Sequence, residues 1–255
     1  MADKSILIDL QDGTAIVRLN RPPANAIDIE FAARLEGAME EMEKSAEVRA
    51  IVLTGTGACF SAGLDLKLIP SYDRAQQRSM VTGFNRLVLR LYGMGKPLIG
   101  ALNGHTVAGG LVLALCCDHR IAAAGPYTYG LTEARVGIPF PVAAITVVTA
   151  ELNAAAARAL VLLGSKSGPE TLLAQGVVDR IKPAGELLPA TIAVARDAAR
   201  MPHGSYARIK RQLRGASLAR MEEVIAGDND PCLQDWLSPE TAAAAARILA
   251  GRDDG

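Results

Sequence analysis

Neither sign of charge is in excess, because 27 lysines and arginines balance 27 aspartates and glutamates. That balance removes the usual footprint of a nucleic-acid or anionic-membrane partner, and none is expected. Long apolar runs are also missing: the longest fall well short of the roughly 20 residues that cross a bilayer as a helix. Cysteine is scarce, and Cys59, Cys116, Cys117 and Cys232 lack metal-ligand spacing. No metal is expected, and the adjacent pair inside an apolar run reads as buried thiols in a reducing compartment. There is no Gly-Lys-Ser/Thr of a P-loop, and Gly104, Gly109 and Gly110 do not fit G-x-G-x-x-G. Repeats of fixed period are absent, and the only low-complexity stretch is the alanine run at 242–246. The opening MADKSILIDL carries two acids and passes straight into alternating residues, so no targeting segment is read and a cytoplasmic protein is expected.

What is present is a chain of 255 residues, half of them hydrophobic, enough for one large domain or a domain with an appendage. The stretch IGALNGHTVAGGLVLALCCDHRIA at 99–122 is its organising feature. It reads as a short apolar strand at 98–102, a turn at Asn103-Gly104, a loop ending in Ala108-Gly109-Gly110, and an apolar run at 111–117 closed by Asp118. A glycine pair opening an apolar helix leaves backbone N–H groups without partners and without side chains over them, which suits a negative oxygen. Packing alone also explains such pairs.

Elsewhere, residues 6–10 and 14–19 flank Asp12-Gly13 in the pattern of a hairpin that ends at Pro22-Pro23. Helical periodicity covers 29–46, with acids on the outer face, and a strand follows at 48–53. The loop at 58–67 has small residues at Ser61, Ala62 and Gly63, and residues 64–69 are expected to start a helix. A long amphipathic helix is read over 73–92, and short strands over 121–123 and 127–129. Glu133 is the only carboxylate between Asp118 and Glu151. It is either solvated or paired, with Arg135 as the near partner, or it faces an apolar pocket that lifts its pKa and fits it for proton transfer. The remainder is Ala-rich and mainly helical: helices over 142–150, 153–163, 169–175, 186–200 and 205–226, a strand at 177–181, and a last helix opened by Ser238-Pro239-Glu240. Its amphipathic helices either meet a partner subunit or fold back on their own domain.

Three segments, ACFSAGLDLKLI at 58–69, ALNGHTVAGGLVLALCCDHRIA at 101–122 and YGLTEARVGI at 129–138, resemble in content, order and spacing the crotonase family, the enoyl-CoA hydratases and isomerases. From Leu89-Arg90-Leu91-Tyr92 onward the likeness is to the Δ3,Δ2-enoyl-CoA isomerases. The resemblance implies an α/β spiral of ββα units over 1–195, and over 196–255 a C-terminal helical region that forms a homotrimer or a hexamer built as a dimer of trimers. It also implies acyl-CoA substrates, with coenzyme A part of the substrate and no separate cofactor. Carried onto this sequence, the oxyanion hole falls on the N–H groups of Leu64 and Gly109, and the catalytic acid on Glu133. Ala24, Ala26, Ser61, Ala62, Asp65, Leu66, Lys67, Ala108 and Thr132 would meet coenzyme A or the acyl group, with Lys67 towards a phosphate.

One departure from that family's pattern is informative. Its hydratases carry a second glutamate three residues after the oxyanion glycine, and here that residue is Val112. Hydration asks for a base on water and an acid at the α-carbon, whereas moving a double bond from C3–C4 to C2–C3 asks for one base that shuttles a proton from C2 to C4. The expected reaction is therefore isomerisation of 3-enoyl-CoA to trans-2-enoyl-CoA. The alternatives are a hydratase borrowing Asp28 or Asp73 as second acid, and a trimer that binds acyl-CoA without turnover. His105 reads as a turn or packing residue, and Ile69, Phe84 and Phe140 are expected to set the depth of the acyl pocket.

Overall fold

The computed structural model describes residues 4–250; the first three residues of the opening stretch and residues 251–255 of the expected C-terminal region lie outside the described residues. Strands β1 (Ile6–Gln11) and β2 (Thr14–Leu19) form the antiparallel hairpin read from Asp12-Gly13, whose φ values of 48° and 77° suit a tight turn. Helix α1 (Ile29–Lys44) begins where the Asp28 carboxylate accepts from the Phe31 N–H.

Three strand–strand–helix units follow. They are β3 (Ala50–Gly55), β4 (Cys59–Ser61) and α2 (Arg74–Gly93), then β5 (Leu98–Leu102), β6 (His105–Val107) and α3 (Gly109–Leu115). The third unit is β7 (His119–Ala123), β8 (Tyr129–Gly130) and α4 (Glu133–Val136). The first strand of each unit joins a six-stranded sheet of order β1-β2-β3-β5-β7-β9, and the second joins a small parallel sheet of order β4-β6-β8. The chain therefore advances as a spiral, one unit per turn. Helices α5 (Val142–Glu151), α6 (Ala154–Ala157) and α7 (Pro169–Ala174) lead to β9 (Arg180–Lys182). Then come α8 (Ala184–Ala198), α9 (His203–Gly227) and α10 (Pro239–Leu249).

The inner strands of the large sheet are buried on both faces. Ala15, Val17, Leu19, Ile51 and Leu53 enter the main core, while Ile16, Ala50 and Val52 enter a second core completed by α8. Period-two alternation thus divides apolar residues between two cores, which is why these strands read as unbroken hydrophobic runs. Cys116 and Cys117 are fully buried, and burial pushes the Cys117 thiol up to about 12, which leaves it protonated and inert.

Two expectations are corrected. Residues 64–69 do not start a helix: Leu64 is extended in a bridge to Ile27, the chain then turns on the Asp65 carbonyl, and only a single 3-10 turn forms at Ile69–Ser71 with Pro70 near its start. The strand expected at 177–181 forms at Arg180–Lys182, because Val177 and Val178 are spent as buried anchors ahead of it. Helix α9 folds back on α2 and α5. Its Lys210 Nζ and Arg214 Nη1 lie 2.7 and 3.1 Å from the Asp118 carboxylate, which also accepts from the Tyr206 hydroxyl and the Leu98 N–H of β5. Among the described residues no helix is long and apolar enough to cross a membrane.

Candidate active site

The loop after β4 and the segment entering α3 lie against each other because of what glycine permits. Gly63 has φ of +78°, and a Cβ there would stand 2.7 Å from both Ala108 Cβ and Gly109 N. Gly110 touches the same loop, since its Cβ would come within 2.2 Å of the Ser61 carbonyl oxygen. Contact this close is open only to residues without side chains.

The stretch from Ala24 to Ile27 runs alongside and fixes the first loop. Ala62 N–H donates to Ala24 O at 2.9 Å, Ile27 N–H to Gly63 O at 2.7 Å, and Asp65 N–H to Ile27 O at 2.9 Å. With residues 63 and 65 bonded to Ile27 in a parallel bridge, the N–H of Leu64 between them points the other way. The Gly109 N–H is the first of α3 and has no intrahelical acceptor. Among the described residues no backbone carbonyl accepts from either group. Both are free to meet a ligand oxygen.

Ala108 carries the chain from β6 into α3 at φ 51° and ψ −131°, a region that non-glycine residues seldom occupy, and its N–H is held by Gly130 O at 2.7 Å. Glu133 follows immediately at the start of α4. Its residue is 6% exposed, its Oε2 has no partner among the described residues, and Arg135 donates to Gly164 O instead. Of the two readings left open by sequence, the buried one holds. Burial pushes the Glu133 carboxyl up to about 8 from its ordinary 4.5, with nothing but its own backbone N–H working against the shift.

The sign of the stability effect follows. Between pH 4.5 and 8 the unfolded chain ionises this carboxyl while the folded chain keeps it protonated, so native stability falls as pH rises through that window. Glu133→Gln should therefore raise the melting temperature, with a gain that grows from near zero at pH 4.5 to its full size, on the order of a few kcal/mol, above pH 8. Thermal denaturation of both proteins across that range checks it.

A cleft of about 430 Å³ opens beside Glu133. Ala24, Ala26, Ala62, Leu64, Asp65, Leu66, Lys67, Ala108 and Thr132 line it. Ser61 is the correction: it is fully buried, donates from Oγ to Asn25 O at 2.7 Å and accepts from the Gly63 N–H, so it shapes the loop without reaching the cleft. Lys67, Arg135 and Lys166 supply positive charge to the lining. His105 also borders the cleft, but its Nδ1 accepts from the Thr128 N–H and its ring stands edge-on to Tyr127, which is a packing role. Beyond Glu133 and Gly109 lies a second, apolar cavity of about 20 Å³, bordered by Phe84, Val112, Phe140 and Trp236. Ile69 is fully buried elsewhere in the core and does not border it.

Neither aspartate considered as a second acid faces this site. Asp28 caps α1 and lies 3.0 Å from Arg21 Nη2, and Asp73 caps α2 in a reciprocal pair with Gln76. Sequence reasoning missed Arg21, whose Nη1 bridges to Asp65 at 2.8 Å and to Ala26 O at 3.0 Å, tying the two walls of the cleft together. It also missed Asn25, which holds φ 49° and donates to Cys59 O at 2.8 Å. Arg21→Met leaves two part-buried carboxylates without their cation. The expected result is a loss of about 2 kcal/mol in denaturant unfolding and roughly a tenfold fall in kcat/KM.

The family model for enoyl-CoA hydratase/isomerase matches residues 9–234. Mouse (Mus musculus) mitochondrial enoyl-CoA delta isomerase 1 is 33% identical over 71% of this chain, and the match spans 64% of that protein's length. A putative enoyl-CoA hydratase of Thermus thermophilus is 33% identical over 76% of this chain and 78% of its own. The crystal structure of human mitochondrial delta3-delta2-enoyl-CoA isomerase superposes with a TM-score of 0.89 at 27% identity, covering 99% of this chain and 100% of that one. With spiral fold, facing loops and matched sequence in agreement, this chain belongs to the enoyl-CoA hydratase/isomerase, or crotonase, family.

Proposed function

We propose that the protein isomerises 3-enoyl-CoA to trans-2-enoyl-CoA. The observation that carries this reading is a solitary buried carboxylate, Glu133, bordering the same small cavity as Leu64 and Gly109, to whose lining Val112 adds no second acid. Coenzyme A occupies the larger cleft, and its thioester oxygen accepts from the N–H groups of Leu64 and Gly109. Ionised Glu133 removes a proton from C2. Negative charge moves onto the thioester oxygen, where two fixed donors stabilise it more than they stabilise the neutral substrate. Glu133, now protonated, returns the proton at C4 as the C2–C3 double bond forms, and the carboxylate is regenerated. A carboxyl held near 8 suits both steps, because it is basic enough to take the proton and acidic enough to give it back.

The Thermus relative's name favours a hydratase as the second reading, but that reaction needs a further acid, and Asp28 and Asp73 are engaged in capping. Assembly as a homotrimer or a dimer of trimers is assigned to the outer face of α9, where Ile209 and Leu213 are 63% and 83% exposed. A substrate carrying deuterium at C2 tests the shuttle in a single turnover. Deuterium recovered at C4 is expected where Glu133 returns it before exchange with solvent; with both C2 hydrogens deuterated, a product that keeps both at C2 would remove Glu133 from the role.

A further inference from the structure

The cavity beyond Glu133 is where an acyl chain must continue once its thioester oxygen sits between Leu64 and Gly109. It shares Leu64, Glu133 and Ile138 with the coenzyme A cleft and lies on the far side of them. Its volume of about 20 Å³ leaves room for one group the size of a water or a methyl. The far wall is made by Trp236, the only tryptophan of the chain, together with Phe140.

That wall is braced. Trp236 is 2% exposed and donates from Nε1 to Pro139 O at 3.1 Å. The turn that precedes it, Pro231–Leu233, is held by Asp230, 4% exposed, whose carboxylate accepts from the N–H of Cys232 at 2.8 Å, the N–H of Val142 at 2.7 Å and the side-chain amide of Asn85 at 2.7 Å. Asn85 in turn accepts from the Ala143 N–H at 2.9 Å. Buried and fully bonded, this node joins α2, α5 and the segment after α9, so the indole cannot swing aside without breaking hydrogen bonds in a dry interior.

From this geometry we infer that Trp236, with Phe140, is the specificity-determining stop that confines the enzyme to short-chain enoyl-CoA substrates. The inference rests on the isomerase reading for the identity of the reaction but not for the shape of the pocket. Chains of about four to six carbons fit with C4 beside Glu133 and little beyond it; longer ones must displace the indole.

The test measures kcat/KM on 3-enoyl-CoA thioesters of about four to ten carbons, and in parallel the binding of saturated acyl-CoA of the same lengths by calorimetry. Wild type should lose at least about tenfold in both between six and ten carbons. Trp236→Ala, and Phe140→Ala as the variant that leaves the braced indole in place, should shift the optimum towards longer chains, by up to about four carbons for Trp236→Ala. A wild type that binds ten-carbon and four-carbon chains equally well overturns the inference, as does an equal loss at every length in both variants. If saturated chains show the cut-off and no 3-enoyl-CoA is turned over, the stop stands and the isomerase reading falls. If no acyl-CoA binds at all, both fall.

Discussion

Glu133→Gln should lower kcat on 3-enoyl-CoA by at least about 1,000-fold while leaving the Kd for saturated acyl-CoA within about threefold. The side chain is nearly isosteric and cannot accept a proton at C2. Because Glu133 is buried and its Oε2 has no partner, the exchange breaks no hydrogen bond or ion pair that holds either oxyanion donor. Wild-type kcat/KM should rise with pH towards a plateau above about 8, since only the ionised base reacts and burial keeps the carboxyl of the free enzyme mainly protonated below that pH. Retention of a wild-type rate in the variant, or a rate independent of pH between 6 and 8.5, would take Glu133 out of the chemistry.

Gly63→Ala should cost at least about 100-fold in kcat/KM, through geometry alone. A Cβ there meets Ala108 Cβ and Gly109 N at 2.7 Å each, on a backbone already at φ +78°. The two segments that carry the Leu64 and Gly109 donors have to separate, and a donor displaced by an ångström no longer meets the oxygen. Adding Ala108→Gly removes one of the two clashes and leaves the other, so the double variant should recover activity only in part. Full recovery would mean that the Gly109 N–H is not a donor. A single variant with unchanged kcat/KM would mean that the two segments need not touch.

Much of this was legible in the chain, for local reasons. Asp12-Gly13 marks a hairpin, Asp28, Asp73 and Ser238 mark helix starts, and α1 and α2 carry their apolar stripes at helical spacing. The three motifs hold most of the residues that line the cleft, and Val112 and Glu133 within them border the smaller cavity. What escaped depends on partners distant in sequence. The spiral has no fixed period, because the helix of its first unit has 20 residues and that of its third has 4. Leu64 is extended because Ile27 pairs with it, and the Arg21–Asp65 bridge joins loops that sequence alone does not bring together. Trp236 gave one usable signal, as a lone large aromatic near the end of an Ala-rich tail. Nothing local says that it closes a pocket lined by α3 and α4.

The most direct measurement is product analysis by NMR, with purified protein given a 3-enoyl-CoA and, separately, a trans-2-enoyl-CoA. Fast formation of the 2-enoyl isomer from the first and little 3-hydroxyacyl-CoA from the second is the result expected of a single glutamate bordering the same small cavity as two backbone donors. Rapid 3-hydroxyacyl-CoA from the 2-enoyl substrate would contradict it, and would mean that a second acid acts with Glu133 where Val112 supplies none.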